Sequence, residues 1–337
     1  MADTLLRPRR PRTLRPRPRR RALSPAARTA VVGALLAVVV LAYLFAFVRG
    51  SFDYALHRRL TMLGAMVVAG FAQSVATVLF QSVTRNRVLT PSIMGLDSVY
   101  VLVQTALVVV WGGRVLAATD GLAKVLVQTL VMVAFATVLF RWLFTARWGN
   151  LNVLLLVGVT LGMAFDSLAT FLQRVLSPTD YDLLSLRLFA RMNAVDDASL
   201  PLALGACVLA GLFVARRVHR LDVLQLGRDV ATNLGLDHRR ELTTVLVVVS
   251  VLIALSTALV GPMTFFGFIA ATVARQLVGS ERHVHLLPMA FLFGTLLLVG
   301  SQFVLEHVFS ASGMLTVVLD VVGGGLFLVL LLRKGRL

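Results

Sequence analysis

Unbroken apolar runs, most of them about 20 residues long, alternate with short polar stretches along this chain. The runs fall at about 30–48, 60–82, 94–112, 121–144, 150–174, 199–215, 241–259, 264–279, 286–308 and 314–332. Each matches the length an α-helix needs to cross a bilayer, with 264–279 the short one. Strands of a membrane barrel would instead alternate apolar and polar residues over segments of about ten. The pattern predicts an all-α polytopic membrane protein with about ten transmembrane helices.

The longest polar interruption within the run of spans is 216–240, RRVHRLDVLQLGRDVATNLGLDHRR. Leu221, Leu224, Leu226, Val230 and Leu234 recur at roughly helical spacing, and Gly227 and Gly235 punctuate them. This predicts two short amphipathic helices joined at a glycine and lying on a membrane surface. A structured loop of that length is usually functional.

Composition supports the membrane class. Hydrophobic residues make up 58% of the chain and charged ones 15%, where a soluble surface needs about a quarter. The net charge of +17 is unevenly placed. Ten arginines lie between Arg7 and Arg28, interleaved with prolines. Residues 1–28 are therefore expected as a disordered Arg/Pro-rich tail that sets topology rather than binding nucleic acid. No small-residue cleavage site marks it as a signal peptide. Residues 29–337 form the expected transmembrane domain.

Arginines then set the orientation. The tail places the N-terminus in the cytoplasm, and the even-numbered loops carry Arg85 and Arg87, Arg147, the loop-six arginines and Arg282. Ten spans return the C-terminus to the same side. Loop one departs from this rule, with Arg49, Arg58 and Arg59 on the outside.

Candidate chemistry is sparse. Asp97, Asp166, Glu306 and Asp320 are acids at or near membrane depth, where ionisable groups are costly and often functional. Asp97 lies near a helix start, where the dipole favours an acid. Such carboxylates leave a proton-coupled carrier open as a second reading. Cys207 is the only cysteine, so a disulfide within the chain and a cysteine metal site are excluded. The six histidines, His283 and His285 among them, read as loop or interface residues rather than ligands. No G-x-x-x-x-G-K-S/T phosphate loop occurs. No catalytic set, metal site or cofactor is expected.

Four ordered segments carry a family resemblance. In GFAQSVATVLFQSVTRNRVLTPSIMG, Gly70, Gln81, Arg85, Asn86, Pro91 and Gly95 stand at the matching positions. In VGPMTFFGFIAATVARQLVG, Val260, Gly261, Pro262, Phe265, Gly267 and Arg275 do so. Loop six matches at Leu221, Leu224, Leu226, Gly227, Ala231, Leu234 and Gly235, and the last segment at Gly313, Thr316, Gly323 and Gly324. Together these resemble the FecCD-type permease subunits of ABC importers for ferric siderophores, haem and cobalamin. Ala271-Thr272 replaces the family's Pro-His pair, which looks like the catecholate-siderophore branch.

The resemblance implies a type II ABC importer permease bundle in the bacterial inner membrane. It implies a second permease subunit, with a heterodimer favoured, two cytoplasmic ATPase subunits, an extracytoplasmic substrate-binding protein and an iron–siderophore substrate. Loop six becomes the ATPase-coupling element, through Leu224, Leu226, Gly227, Val230 and Gly235. The translocation path is implied along Thr160, Met163, Ser167 and Thr170 of the fifth span with Thr316, Asp320 and Gly323 of the last. Gly261 and Pro262 break the helix, either shaping the path or dimer interface or making an ordinary turn. Arg58 and Arg59 become candidates for docking the binding protein.

Overall fold

The computed structural model describes residues 23–47, 51–114, 121–145, 151–195, 197–307, 318–321, 324–325, 328–329 and 332. Among these residues all regular structure is helical. The elements in order are α1 (Pro25–Phe45), α2 (Phe52–Thr84), α3 (Leu96–Trp111), α4 (Leu122–Thr145), α5 (Leu151–Gln173) and α6 (Pro178–Leu188). Then come α7 (Leu200–Arg216), α8 (Val218–Leu224), α9 (Arg228–Asn233), α10 (His238–Val260), α11 (Phe266–Val278) and α12 (His283–His307).

Five of these helices are long and apolar enough to cross a membrane, or six when α7 and α8, bent by 65° at Arg217, count as one span. α3, the first part of α4 and α11 are shorter apolar helices. The expected count of ten is therefore not reproduced as ten full-length helices, and the tenth segment lies mostly outside the described residues. The first segment begins earlier than its hydropathy suggests. Ser24 caps α1 by accepting from the Ala27 N–H at 3.2 Å, and Pro25 occupies the first turn.

α2 is the central element and packs against α10, α11 and α12. From Ala65 to Val83 nearly every residue is buried. The sequence tolerates this because its hydroxyls bond within the helix while its amides find partners beyond it, Gln73 at Ser256 and Gln81 at the Arg87 carbonyl. Thr77 and Thr84 donate to the carbonyls of Gln73 and Phe80 at 2.7 and 2.8 Å, and the Ser82 hydroxyl lies 2.8 Å from the Val78 carbonyl. Such back-bonds satisfy a hydroxyl where no water is present. Small residues then let neighbouring backbones approach. A Cβ on Gly70 would lie 3.0 Å from the Thr295 Cα of α12, and one on Gly294 would lie 3.1 Å from the Gly70 carbonyl.

Loop five contains α6, which hydropathy alone does not indicate. Its local signals are plain: Ser177 caps it, Pro178 sits in its first turn, and Asp180 reaches across to the Gly113 N–H at 2.9 Å. Beyond it, the chain lies flat on the end of α10. The Arg191 N–H donates to the Val260 carbonyl at 2.8 Å. Gly261, at φ +111°, ends α10, and a Cβ there would sit 3.0 Å from Ala190 Cα and Phe189 O. Only glycine fits both that φ and that contact.

Candidate coupling and translocation surfaces

Loop six folds as two short helices, α8 and α9, joined at Gly227. Gly227 has φ +101°, and a Cβ would meet the Arg85 guanidinium at 2.7 Å. Arg85 is itself the left-handed cap of α2, at φ +53°. The second helix closes on a Schellman motif: the Gly235 N–H bonds Thr232 O at 2.9 Å and the Leu236 N–H bonds Ala231 O at 2.9 Å.

The loop's apolar residues divide into two sets. Leu221, Leu224 and Ala231 are buried, at 4%, 3% and 0% exposure, and hold the loop to the bundle. Leu226, Val230 and Leu234 are 52%, 45% and 63% exposed and form an outward apolar ridge. Arg217 and Arg220, which the sequence analysis counts among the orientation-setting loop arginines, are engaged internally. Glu241, at the start of α10, accepts from both at 2.8 and 2.7 Å, and Arg217 also lies 4.5 Å over the Phe213 ring. Arg216, Arg239 and Arg240 stay exposed.

At the same end of the bundle the first two resemblance segments meet. The Arg275 guanidinium donates to Gln81 Oε1, Gln81 Nε2 donates to the Arg87 carbonyl at 2.8 Å, and Arg87 pairs with Glu281 at 3.1 Å. His283 is fully buried beside them. Its Nδ1 lies 2.6 Å from Asp222 Oδ1 of α8 and its Nε2 lies 2.8 Å from Ser82 Oγ of α2. The sequence reading misses this chain because its members stand 61 and 201 positions apart. A polar Ser82 in an apolar run and a histidine opening a helix are the only local signals.

On α5, Thr160, Met163, Ser167 and Thr170 share one exposed stripe. The three hydroxyls donate to Leu156, Met163 and Asp166 carbonyls at 2.9, 2.8 and 2.7 Å, so only their lone pairs face outward. The opposite side of α5 packs through Gly158 and Gly162, where a Cβ on Gly162 would lie 3.0 Å from the Gly95 Cα. The Asp97 carboxyl oxygens are buried, close to Ser92 and Thr264 and with Asp320 and Asp166 nearby. Asp320 is half-buried; Thr316 and Gly323 lie outside the described residues.

Arg59 differs from its sequence-based reading as an exposed docking residue. It is 8% exposed, and its Nη1 donates to the carbonyls of Tyr43, Leu44 and Ala46 at 2.8, 3.1 and 2.8 Å. The end of α1 leaves these acceptors without helical partners, and the guanidinium turns inward to satisfy them. Arg58 remains exposed, near the His57–Asp197 pair at 3.0 Å.

The FecCD transport family matches residues 40–333. The chain belongs to this family. Among FecCD relatives, the petrobactin import system permease protein FatC of Bacillus anthracis is 37% identical over 287 residues, 85% of this chain and 81% of that protein. The petrobactin import system permease protein YclO of Bacillus subtilis is 36% identical over 301 residues, 89% of this chain and 96% of that one. A solved metal-chelate type ABC transporter in an inward-facing conformation superposes with a TM-score of 0.78 at 20% identity, covering 92% of this chain and all of its own. That likeness shows the FecCD chain's fold as an ABC importer permease bundle.

Proposed function

We propose that this chain is one of two permease subunits of an ABC importer that carries an iron–siderophore complex into the cytoplasm. The observation that carries the reading is the similarity to two petrobactin import permeases across most of all three chains. Ferric petrobactin is accordingly the substrate to try first. The energy comes from ATP hydrolysis on two separate subunits, and the outward ridge of Leu226, Val230 and Leu234 is the surface that meets them. Gly227 and Gly235 shape that ridge, and Leu224 anchors it. Exposed arginines at the same end fit a cytoplasmic placement of loop six, with both termini on that side.

The α5 stripe of Thr160, Met163, Ser167 and Thr170 faces the substrate path between the two permeases, and the family resemblance assigns Thr316, Asp320 and Gly323 of the last segment to the same path. A wall whose hydroxyl protons are already used binds a bulky chelate weakly, which suits passage better than retention. Arg58 presents a charge to an acidic binding protein, where an exposed pair contributes mainly to docking rate. The partner is read as a distinct permease. The Gly261-Pro262 break serves the bundle by seating loop five. A proton-coupled carrier finds no support among the relatives, whose names are those of import-system permeases.

One pair of variants tests the assignment. Leu226→Asp should cut retention of the ATPase subunits on the purified permease by about tenfold or more, as loss of an interface anchor does. Leu224→Asp should instead lower the yield of folded permease, because it places a charge in a buried site. Uptake of ferric petrobactin should stop when ATP is removed and survive collapse of the proton gradient. Uptake with the opposite dependence would overturn the proposal.

A further inference from the structure

Loop six is tied to the bundle by buried leucines, by the Glu241 grip on Arg217 and Arg220, and by one polar chain that crosses to distant helices. The first two ties pack the loop or hold it to α10, the helix that follows it. The third is different. Asp222 Oδ1 accepts from the His283 backbone N–H at 2.9 Å and faces the ring Nδ1 at 2.6 Å. The other ring nitrogen faces Ser82 Oγ at 2.8 Å. Ser82 also lies 2.8 Å from the Val78 carbonyl. One side chain of the loop is thus joined to the start of α12 and to the end of the central helix α2.

Proton counting shows why a histidine suits this position. Ser82 has a single hydroxyl proton for two acceptors. With a neutral ring, Nδ1–H donates to Asp222 and the serine hydroxyl donates to Nε2. With a charged ring, Nε2–H donates to Ser82 Oγ, and the hydroxyl turns to Val78 O. Either way every member is satisfied and the connection stays closed. The charged groups around the ring are Asp222 from α8, Arg275 from α11 and Glu281 from the turn before α12, while α2 contributes the uncharged Ser82. A buried polar chain that only filled space would be less stable than apolar side chains of the same shape. A fully satisfied chain instead fixes relative position.

We infer that Asp222 and His283, acting through Ser82, are the positioning residues that carry movement of loop six into α2 and α12. The inference rests on loop six being the ATPase-docking element. These residues touch neither nucleotide nor substrate; they keep the loop and the two helices moving as one body. The Arg85 guanidinium at the end of α2 also packs close to Gly227 of the loop.

The test uses the complete transporter in proteoliposomes, with ferric petrobactin as the transported probe and ATP hydrolysis measured alongside. Asp222→Ala, Ser82→Ala and His283→Asn, the last keeping a donor for Asp222 but too short for Ser82, should each retain bound, hydrolysing ATPase subunits. Uptake per ATP should fall about tenfold, within the range by which such contacts modulate coupling. The double variant Asp222→Ala/Ser82→Ala should be no worse than either single one, since both break the same chain. Asp222→Asn, which keeps an acceptor oxygen, should recover most of the coupling, a rescue that simple loss of packing would not give. Unchanged uptake per ATP, additive losses, or release of the ATPase subunits would each overturn the inference. If Leu226→Asp sheds the ATPase while the Asp222 and His283 variants stay coupled, only the positioning role falls. If Leu226→Asp keeps its ATPase, the loop-six reading itself falls.

Discussion

Gly70 of α2 lies directly against Thr295 of α12, with room for no side chain: an added Cβ would come within 2.6 Å of Thr295 Oγ1 and 3.0 Å of its backbone N and Cα. The neighbouring Gly294 meets Gly70 O and Ser74 in the same way. The two helices therefore cross at backbone contact, the arrangement that small residues permit in membranes. Gly70→Val should push them apart and lower stability by about 1–3 kcal/mol, the usual penalty for overpacking. Thermal unfolding in detergent would show the drop. A variant as stable as the parent would mean the crossing is loose.

The two arginines of loop one should separate in their effects. Arg59→Gln should destabilise the protein by about 1–3 kcal/mol, because it strands carbonyls at the end of α1 that lie away from water. It should leave affinity for a binding protein nearly intact. Arg58→Glu should do the reverse, slowing association in a salt-dependent way with little change in stability. Unfolding curves and binding kinetics on the same preparations decide it, and equal effects on both measurements would refute the division.

How far was this legible from sequence? Hydropathy places α10 within three residues of its actual ends, and the glycine between two short amphipathic runs places α8 and α9. Arg59 was not legible, because what turns it inward is the set of open carbonyls on α1, and no pattern around Arg59 announces them. His283 failed for the same reason. A histidine following two charged residues reads as surface until Asp222 and Ser82 arrive from other helices. Helix α6 was legible in principle, since Ser177-Pro178 with Asp180 is a start signal, but its mixed polarity hides it from a search for apolar runs.

Asp180 supplies a pH test outside the membrane. Its carboxyl is held below the usual carboxylate range, first by the Ser177 hydroxyl and then by the Gly113 N–H. A folded value below the unfolded one, about 3.9, means the tie is fully present above that value and is lost as pH falls through the folded one. The Gly113 amide should thus stay protected from hydrogen exchange at neutral and mildly acidic pH, after correction for intrinsic rates. In Asp180→Asn, where an uncharged amide makes a weaker acceptor, protection should be lower at neutral pH and should not change on acidification. Equal protection in variant and parent would rule out the carboxylate as the tie.

The contact between Gly95 and Gly162 has a mechanical meaning. Where α5 rests on the turn before α3, a Cβ at either position would lie about 3 Å from the other glycine's backbone, so the surfaces meet without interlocking side chains. At this one point there are no side chains to rearrange; the side-chain contacts of α5 lie elsewhere, among them the Gln173–Thr105 hydrogen bond to α3 at 3.1 Å and the Phe135–Phe165 ring contact to α4. A tilt of α5 about the glycine pair would leave only shallow van der Waals contacts to change there, and would be opposed chiefly by those two side-chain ties. The helix with the exposed hydroxyl stripe thus rests backbone on backbone at one point, and what fixes its tilt is the pair of side-chain contacts to either side of that point.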